Sequence, residues 1–222
     1  MWLTSAMAEG LPDLNVRFDY HWGTLLEPDA GDEPLALFRR WLADAQAADP
    51  EDFNAMVVAT VGGDGQPAAR TVLLRDLDDE GRFRFFTNRE SRKGREIARQ
   101  PRVGLLFNWL ALRRQVRVDG VATVLDDAAS DAYFASRPRE SRLAAWASEQ
   151  SQVIEGRGAL DAAMAAAADR FAGDEVHRPA HWGGYAVAPN VVEFWQGRPN
   201  RLHDRIRFRR EGGGWVRERL AP

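Results

Sequence analysis

An α+β fold, an antiparallel β-barrel carrying inserted and appended helices, is predicted by three observations. Short apolar runs recur through the chain between clusters of Gly, Pro and Asp, as the strands of an antiparallel sheet do. Helix-period segments precede, interrupt and follow those runs. The chain has 222 residues and is 45% hydrophobic, which suits one large domain with a real core.

The elements follow in order. Residues 1–33 are rich in Gly, Pro and Asp and read as an irregular arm that needs a partner surface, with the body of the domain spanning 34–222. A first helix is expected from Pro34 to Gln46. Pro34 suits the first turn, and Leu35, Phe38, Trp41, Leu42 and Ala45 form one apolar stripe. Met56–Val61 and Ala68–Leu74 flank Gly62-Gly63-Asp64-Gly65, a hairpin signal. Arg82–Thr87 is a third strand, and Ser91 to Arg99 a short helix closed by Pro101. Val103–Trp109 and Gln115–Leu125 are further strands. Helices are expected over Asp126–Ser136, capped by Asp126 or Asp127, over Ser141–Ser148, and over Gly158–Phe171 with Leu160, Met164, Ala168 and Phe171 buried. Strands near Gly184–Ala188, Val191–Trp195, Arg205–Arg209 and Trp215–Leu220 close the chain.

Composition excludes several classes. The net charge of −3 and pI of about 5.9 argue against a general nucleic-acid binder. There are no cysteines, so disulfides, thiolate metal sites and cysteine nucleophiles are excluded. His177 and His181 are four apart, but Pro179 lies between them and no acidic ligand is evident, so no metal site is expected. Residues 1–15 lack the basic start and apolar run of a secretory signal, and no stretch nears the ~20 apolar residues of a membrane span. A soluble cytoplasmic protein is the expectation.

Three constellations carry chemistry. In Val192–Arg205 a tryptophan, two arginines and a histidine (Trp195, Arg201, His203, Arg205) gather around Gly197, Pro199 and Asn200, which read as a tight turn. A hairpin there would set an aromatic face beside cations, suited to a flat anionic aromatic ligand. In Thr87–Gly94, Ser91 is a good N-cap, and Arg92 and Lys93 fall in the first helical turn, where cations oppose the helix dipole. A phosphate would resolve that conflict; a solvated basic turn is the alternative. Tyr133, Arg137 and Ser141 are spaced by four across a helix end and offer hydroxyls and a guanidinium fork to a second phosphate, unless they are simply surface. Strand alternation would put Arg70 and Arg75 on opposite faces, so a shared site would need a break between them.

Taken together, the strings NAMVVATV (54–61), FFTNRESRKG (85–94), SRPRESRLAAWASEQS (136–151), WGGYAVAP (182–189), VEFWQGRPNRLHDR (192–205) and the closing RLAP resemble the pyridoxine/pyridoxamine 5′-phosphate oxidase family, over about Arg17 to Pro222. Each string is moderately specific; their occurrence in order is highly specific. The resemblance implies a split β-barrel homodimer with FMN at the subunit interface. It implies FMN-dependent oxidation of pyridoxine and pyridoxamine 5′-phosphates to pyridoxal 5′-phosphate, with O2 reduced to H2O2. Arg70, Thr71, Val72, Leu73, Leu74 and Arg75 match the family's FMN-contacting positions. So do Phe86, Thr87, Arg92 and Lys93, and, further on, Gln115, Gln150, Ser151, Trp195 and Arg205. Arg75, Tyr133, Arg137 and Ser141 match positions facing the substrate phosphate, with help from His203, while Arg201 would lie over the reacting carbon. Arg201 and His203 are the expected catalytic pair, orienting the substrate and handling the proton. Arg17 and Tyr20 match a mobile arm, giving residues 1–33 a lid role.

Two departures stand out. Arg75 replaces the family's usual lysine, and a forked guanidinium is not equivalent to an ammonium at a tight phosphate site. Phe86 stands where tyrosine is frequent, which removes at most a hydroxyl contact. Two other readings remain open: a sister flavin oxidase of the phenazine-biosynthesis type on the same scaffold, and a non-catalytic flavin or pyridoxal-phosphate binding protein. Turnover under air separates the last from the other two.

Overall fold

The computed structural model describes residues 23–222. Nine strands make one antiparallel sheet: β1 (Ala55–Val61), β2 (Pro67–Leu73), β3 (Asp76–Leu77), β4 (Phe83–Asn88), β5 (Arg102–Trp109), β6 (Arg114–Val124), β7 (Trp182–Gln196), β8 (Asp204–Glu211) and β9 (Gly214–Arg219). The helices are α1 (Glu27–Ala30), α2 (Pro34–Ala48), α3 (Arg92–Arg99), α4 (Asp127–Ala135), α5 (Arg139–Ala147) and α6 (Arg157–Arg170). The expected α+β split barrel with peripheral helices is the architecture found.

The sheet runs β2-β1-β5-β6-β7-β4-β3, and β8 and β9 branch from β7. The branch exists because β7 is 15 residues long. Its first half pairs with β4 (Trp182 to Val187) and its second with β8 (Val191 to Gln196), while β6 runs along its other edge. The sequence suggested two strands here, near Gly184–Ala188 and Val191–Trp195. In fact Pro189 falls in the gap between β4 and β8, opposite a register shift in β6 at Asp119/Gly120, where its missing N–H costs no ladder bond.

The curled sheet closes on α2, whose Leu37, Phe38, Trp41 and Ala45 are buried. Phe38 packs edge-on to Phe83 and Phe107 at 4.9 Å. Leu37 was not in the expected stripe; Leu35 and Leu42, which were, are only partly buried. A second core, with Phe134, Leu143, Phe171 and Trp182, lies under α4–α6. There α6 buries Ala167, not Ala168. Steps from Leu160 to Met164, Ala167 and Phe171 follow the 3.6-residue period, whereas Ala168 turns to solvent.

The last part of the N-terminal segment, from residue 23, packs on the body: Leu25 and Ala30 are buried, and Leu25 N–H donates to Asp204 at 3.0 Å. Arg17 and Tyr20, and with them the lid expectation, lie outside the described residues. Among the described residues no helix is long and apolar enough to cross a membrane, and no group of three or more His, Asp or Glu is placed to hold a metal ion.

Candidate functional site

β2 follows β1 only as far as Leu73. Leu74 N–H then donates to Asn54 O, and Arg75 N–H to Arg84 O, so the chain leaves β1 for β4. Leu74 turns into the core, 5% exposed. Because the strand changes partner here, Arg70 and Arg75 line the same cleft despite their odd spacing. Leu74 itself does not line it; its backbone is the pivot.

The cleft has a volume of about 790 Å3. Arg70, Arg75, Arg92, Lys93 and Arg137 line it, and none of its described lining residues is Asp or Glu. Thr71, Val72, Leu73, Phe86, Thr87, Gln150 and Ser151, all expected as cofactor contacts, are also on its wall.

One cationic cluster forms at the start of α3. Ser91 caps the helix, accepting from Gly94 N–H, as expected. Gly94 is required here, since a Cβ would lie 2.0 Å from the Arg89 carbonyl oxygen. Lys93 is buried, and its ammonium donates to Thr87 Oγ1 (2.9 Å), Gln150 Oε1 (2.8 Å) and Ser91 Oγ (3.2 Å), all neutral oxygens. Burial, with Arg70 nearby, pulls its pKa down to about 8. Arg92 and Arg70 are instead anchored by Glu96, at 2.8 and 3.0 Å. Sequence reasoning missed Glu96; its i,i+4 spacing from Arg92 was the available signal.

A second cluster surrounds Tyr133. Its ring stacks on Phe86 with centroids 3.9 Å apart and lies parallel to Trp182. Gly184, paired with Phe86, leaves room for that ring: a Cβ there would meet Phe86 at 2.7 Å. The Arg75 guanidinium lies 5.9 Å from the Tyr133 ring centre, and that of Arg137 4.7 Å from Trp182. Burial lowers the Arg137 pKa, Tyr133 opposing and Arg75 adding to the effect. Arg137 Nη1 is a buried donor with no hydrogen-bond partner among the described residues. Ser141 sits half-buried on α5 and is not part of the cleft wall. Trp182, which the sequence reading passed over, is central. Arg178 fixes it to α4 by bonding its carbonyl together with Asp127 and Asp131.

The remaining expected residues stand elsewhere. The β7–β8 hairpin forms, with Trp195 paired to Arg205 and, across β6, to Gln115. The tight turn does not: residues 197–203 make a longer loop with a 3-10 turn at Pro199–Arg201, where Asn200 (φ 55°) and Arg201 (φ 61°) are left-handed. His203 packs on Trp195, centroids 4.6 Å apart, and its Nδ1 accepts from Arg198 N–H at 3.1 Å. Burial, reinforced by Arg201, holds the imidazole below its ordinary pKa. Gln115, Trp195 and Arg205 line a separate cavity of about 200 Å3 with Arg117, Glu193 and Pro222.

β7 measures the separation of the two groups. Gly184 pairs with Phe86 and Trp195 pairs with Arg205, so the partners stand eleven residues apart on one strand. At about 3.3 Å per residue that is roughly 35 Å of extended chain.

Comparison with known proteins gives a consistent picture. A family model described as pyridoxamine 5′-phosphate oxidase matches residues 42–170, and one described as the pyridoxine 5′-phosphate oxidase C-terminal dimerisation region matches residues 182–222. A pyridoxine/pyridoxamine 5′-phosphate oxidase of Thermosynechococcus vestitus is 53% identical over 208 residues, covering 94% of this chain and 98% of that one. One from a Nocardioides species is 55% identical, covering 93% and 96%. Among solved structures, PhzG from Burkholderia lata 383, in complex with tetrahydrophenazine-1-carboxylic acid, superposes with a TM-score of 0.83 at 31% identity over 90% of this chain and 99% of that one. An FMN-binding protein of Nostoc punctiforme, 23% identical with a TM-score of 0.68 over 83% of this chain and 97% of that one, shares the fold.

Proposed function

Because the chain belongs to the pyridoxine/pyridoxamine 5′-phosphate oxidase family of enzymes, we propose that it oxidises pyridoxine 5′-phosphate and pyridoxamine 5′-phosphate to pyridoxal 5′-phosphate with FMN as cofactor and O2 as final acceptor. The observation that carries this reading is the cleft walled by five cations and no described carboxylate. Such a wall suits ligands bearing phosphate dianions.

The residues present fit FMN. Lys93 keeps a buried ammonium whose hydrogen bonds all go to neutral oxygens, so its charge is uncompensated there. With Arg70 and Arg92 it would hold the FMN phosphate. Thr87, Gln150 and Ser151, on the same wall, would hold the rest of the chain that carries it. The substrate phosphate would take Arg75, Tyr133 and Arg137, where the unpartnered Arg137 Nη1 supplies a ready donor. When bound, FMN supplies the two-electron acceptor, and its reoxidation by O2 gives H2O2.

The chain's own work is binding and orientation. Gln115, Trp195, Arg201, His203 and Arg205 are not on the cleft wall, and Gln115, Trp195 and Arg205 line a separate cavity. The reading therefore includes a homodimer in which the hairpin of one copy completes the cleft of the other, in keeping with the dimerisation-region match. Arg201 would lie over the reacting carbon. A neutral His203 that accepts at Nδ1 carries its proton on Nε2. Its role is to orient the substrate rather than to take the proton, since Nδ1 already accepts from Arg198 N–H.

The relatives at 53% and 55% identity favour the vitamin B6 reaction over that of the 31% identical phenazine-pathway structure. An aerobic assay of FMN-loaded protein with each phosphorylated vitamer, following pyridoxal 5′-phosphate and peroxide together, tests the proposal. Formation of both products supports it. Bound flavin without turnover on either vitamer would point to the sister oxidase or to a binding protein.

A further inference from the structure

Arg201 and His203 ride on a loop, residues 197–203, that joins β7 to β8. Within it Asn200 (φ 55°) and Arg201 (φ 61°) are consecutive left-handed residues. Neither is glycine, so the conformation is unfavourable for both and persists only where the surroundings impose it. The Arg201 side chain is exposed, so the loop backbone decides where it points. Asp204 ends the loop, paired with Gln196 across its base, with its side chain only 13% exposed. Its carboxylate meets three parts of the chain. Oδ2 accepts from Leu25 N–H at 3.0 Å and lies 3.8 Å from Arg198 Nη1, while Oδ1 accepts from Arg219 Nη1 at 3.0 Å. The same two arginines return to the N-terminal segment: Arg198 Nη1 donates to Gly23 O at 3.4 Å, and Arg219 Nη2 to Leu25 O at 3.0 Å. At the start of the loop, Arg198 N–H donates to His203 Nδ1 at 3.1 Å.

An exposed ion pair would fix little here. This carboxylate is mostly shielded, and it ties the end of the loop to β9 through Arg219 and to the N-terminal segment through Leu25. Its attraction for Arg198 draws the start of the loop toward the end, on the side where His203 already accepts from Arg198. Asp204, Arg198 and Arg219 line neither the cleft nor the cavity beside Trp195, so what they do for the site passes through the loop. We propose that Asp204 is a positioning residue that clamps the loop to β9 and the N-terminal segment, and so sets Arg201 and His203 for the reaction. This rests on the proposed role of those two residues at the substrate.

Asp204→Asn is the sharpest variant. The amide keeps the shape, but one of its polar atoms becomes a donor that faces Leu25 N–H or a guanidinium. Four proteins form a cycle: wild type, Asp204→Asn, Arg201→Ala and the double variant. Steady-state kinetics at saturating FMN are measured with both phosphorylated vitamers, and FMN affinity by flavin fluorescence. Asp204→Asn is expected to lower kcat about tenfold or more, the scale of a misplaced orienting group, with KM and FMN affinity within about threefold of wild type. A merely structural aspartate would lower Tm and leave the kcat of the folded, FMN-saturated protein alone. Added to Arg201→Ala, the same substitution should cost less than about a further threefold, because a group that it positions is gone. If Asp204→Asn does not fold, Asp204→Ala takes its place in the cycle, since it leaves room for water at Leu25 N–H. An unchanged kcat, a loss carried by KM or by FMN affinity, or full additivity with Arg201→Ala overturns the assignment. Failure of wild type to turn over either vitamer, or full kcat in Arg201→Ala, would instead strike the proposed function itself.

Discussion

The Lys93 ammonium donates to Gln150 Oε1 at 2.8 Å, tying the first turn of α3 to the loop after α5, 57 residues away. That tie and the Thr87 hydroxyl hold a buried cation whose pKa lies at about 8, well below the ordinary lysine value. A bound phosphate favours the charged form, so binding takes up a proton once the free protein has lost it. FMN affinity should therefore hold level from about pH 6.5 to 7.5 and weaken as pH rises through 8. Below about pH 6 it should fall again as the phosphate itself protonates. Lys93→Arg, charged throughout this range, should abolish the upper step. An upper step that persists in Lys93→Arg would assign it to another group.

The Tyr133 cluster predicts a division between binding and turnover. Arg137→Ala removes a guanidinium that already has an unpartnered buried donor, and should raise KM for the phosphorylated substrates about 10- to 100-fold with kcat little changed. Arg75→Lys introduces the lysine that the family resemblance leads one to expect but gives up the guanidinium contact with the Tyr133 ring. Its expected effect is a change in KM of a few-fold, with kcat retained. Steady-state kinetics on both vitamers check this pair, and a fall in kcat at constant KM in Arg137→Ala would remove that residue from the phosphate site.

Gly184 is the point where the fold makes room for the aromatic stack. An added methyl would lie 2.5 Å from a Leu125 methyl carbon and 2.7 Å from Phe86. Gly184→Ala should cost about 1–3 kcal/mol by overpacking. It should also tilt Phe86 and with it Tyr133, lowering Tm by several degrees and raising substrate KM. Thermal unfolding with and without substrate measures both effects; an unaltered Tm would mean that the stack relaxes freely.

Much of this was legible in the sequence because local rules governed it. Ser91 and Asp126 cap their helices as their residue types predict, and the Gly62–Gly65 hairpin pairs β1 with β2. What escaped was set by tertiary partners. Alternation put Arg70 and Arg75 on opposite faces, but the chain changes partner strand between them. Two strands were expected, near Gly184–Ala188 and Val191–Trp195, where one continuous β7 changes neighbour from β4 to β8. Gly197, Pro199 and Asn200 did mark a turn, but composition could not say that the loop would span seven residues and give Arg201 a left-handed backbone. Most of the cleft residues expected from the sequence do line one wall, Leu74 and Ser141 excepted, yet nothing in linear order said that the cleft and hairpin groups lie at opposite ends of one strand.

That separation yields the most direct test of how the site is assembled. Arg137 belongs to the cleft and Arg201 to the far loop, so in a symmetric pair each complete site draws on both copies. Arg137→Ala and Arg201→Ala should each lower activity strongly at limiting substrate, the second through turnover with FMN still bound. Co-expressed, the two variants form mixed dimers in which one site carries both lesions and the other neither. With statistical pairing half of the dimers are mixed, and about one quarter of wild-type activity should return. Tagging the two chains differently and purifying the mixed dimer should raise the recovery to about one half. If the purified mixed dimer shows no more activity than the parents, each copy carries its own complete site, and the separation along β7 must be bridged within one chain.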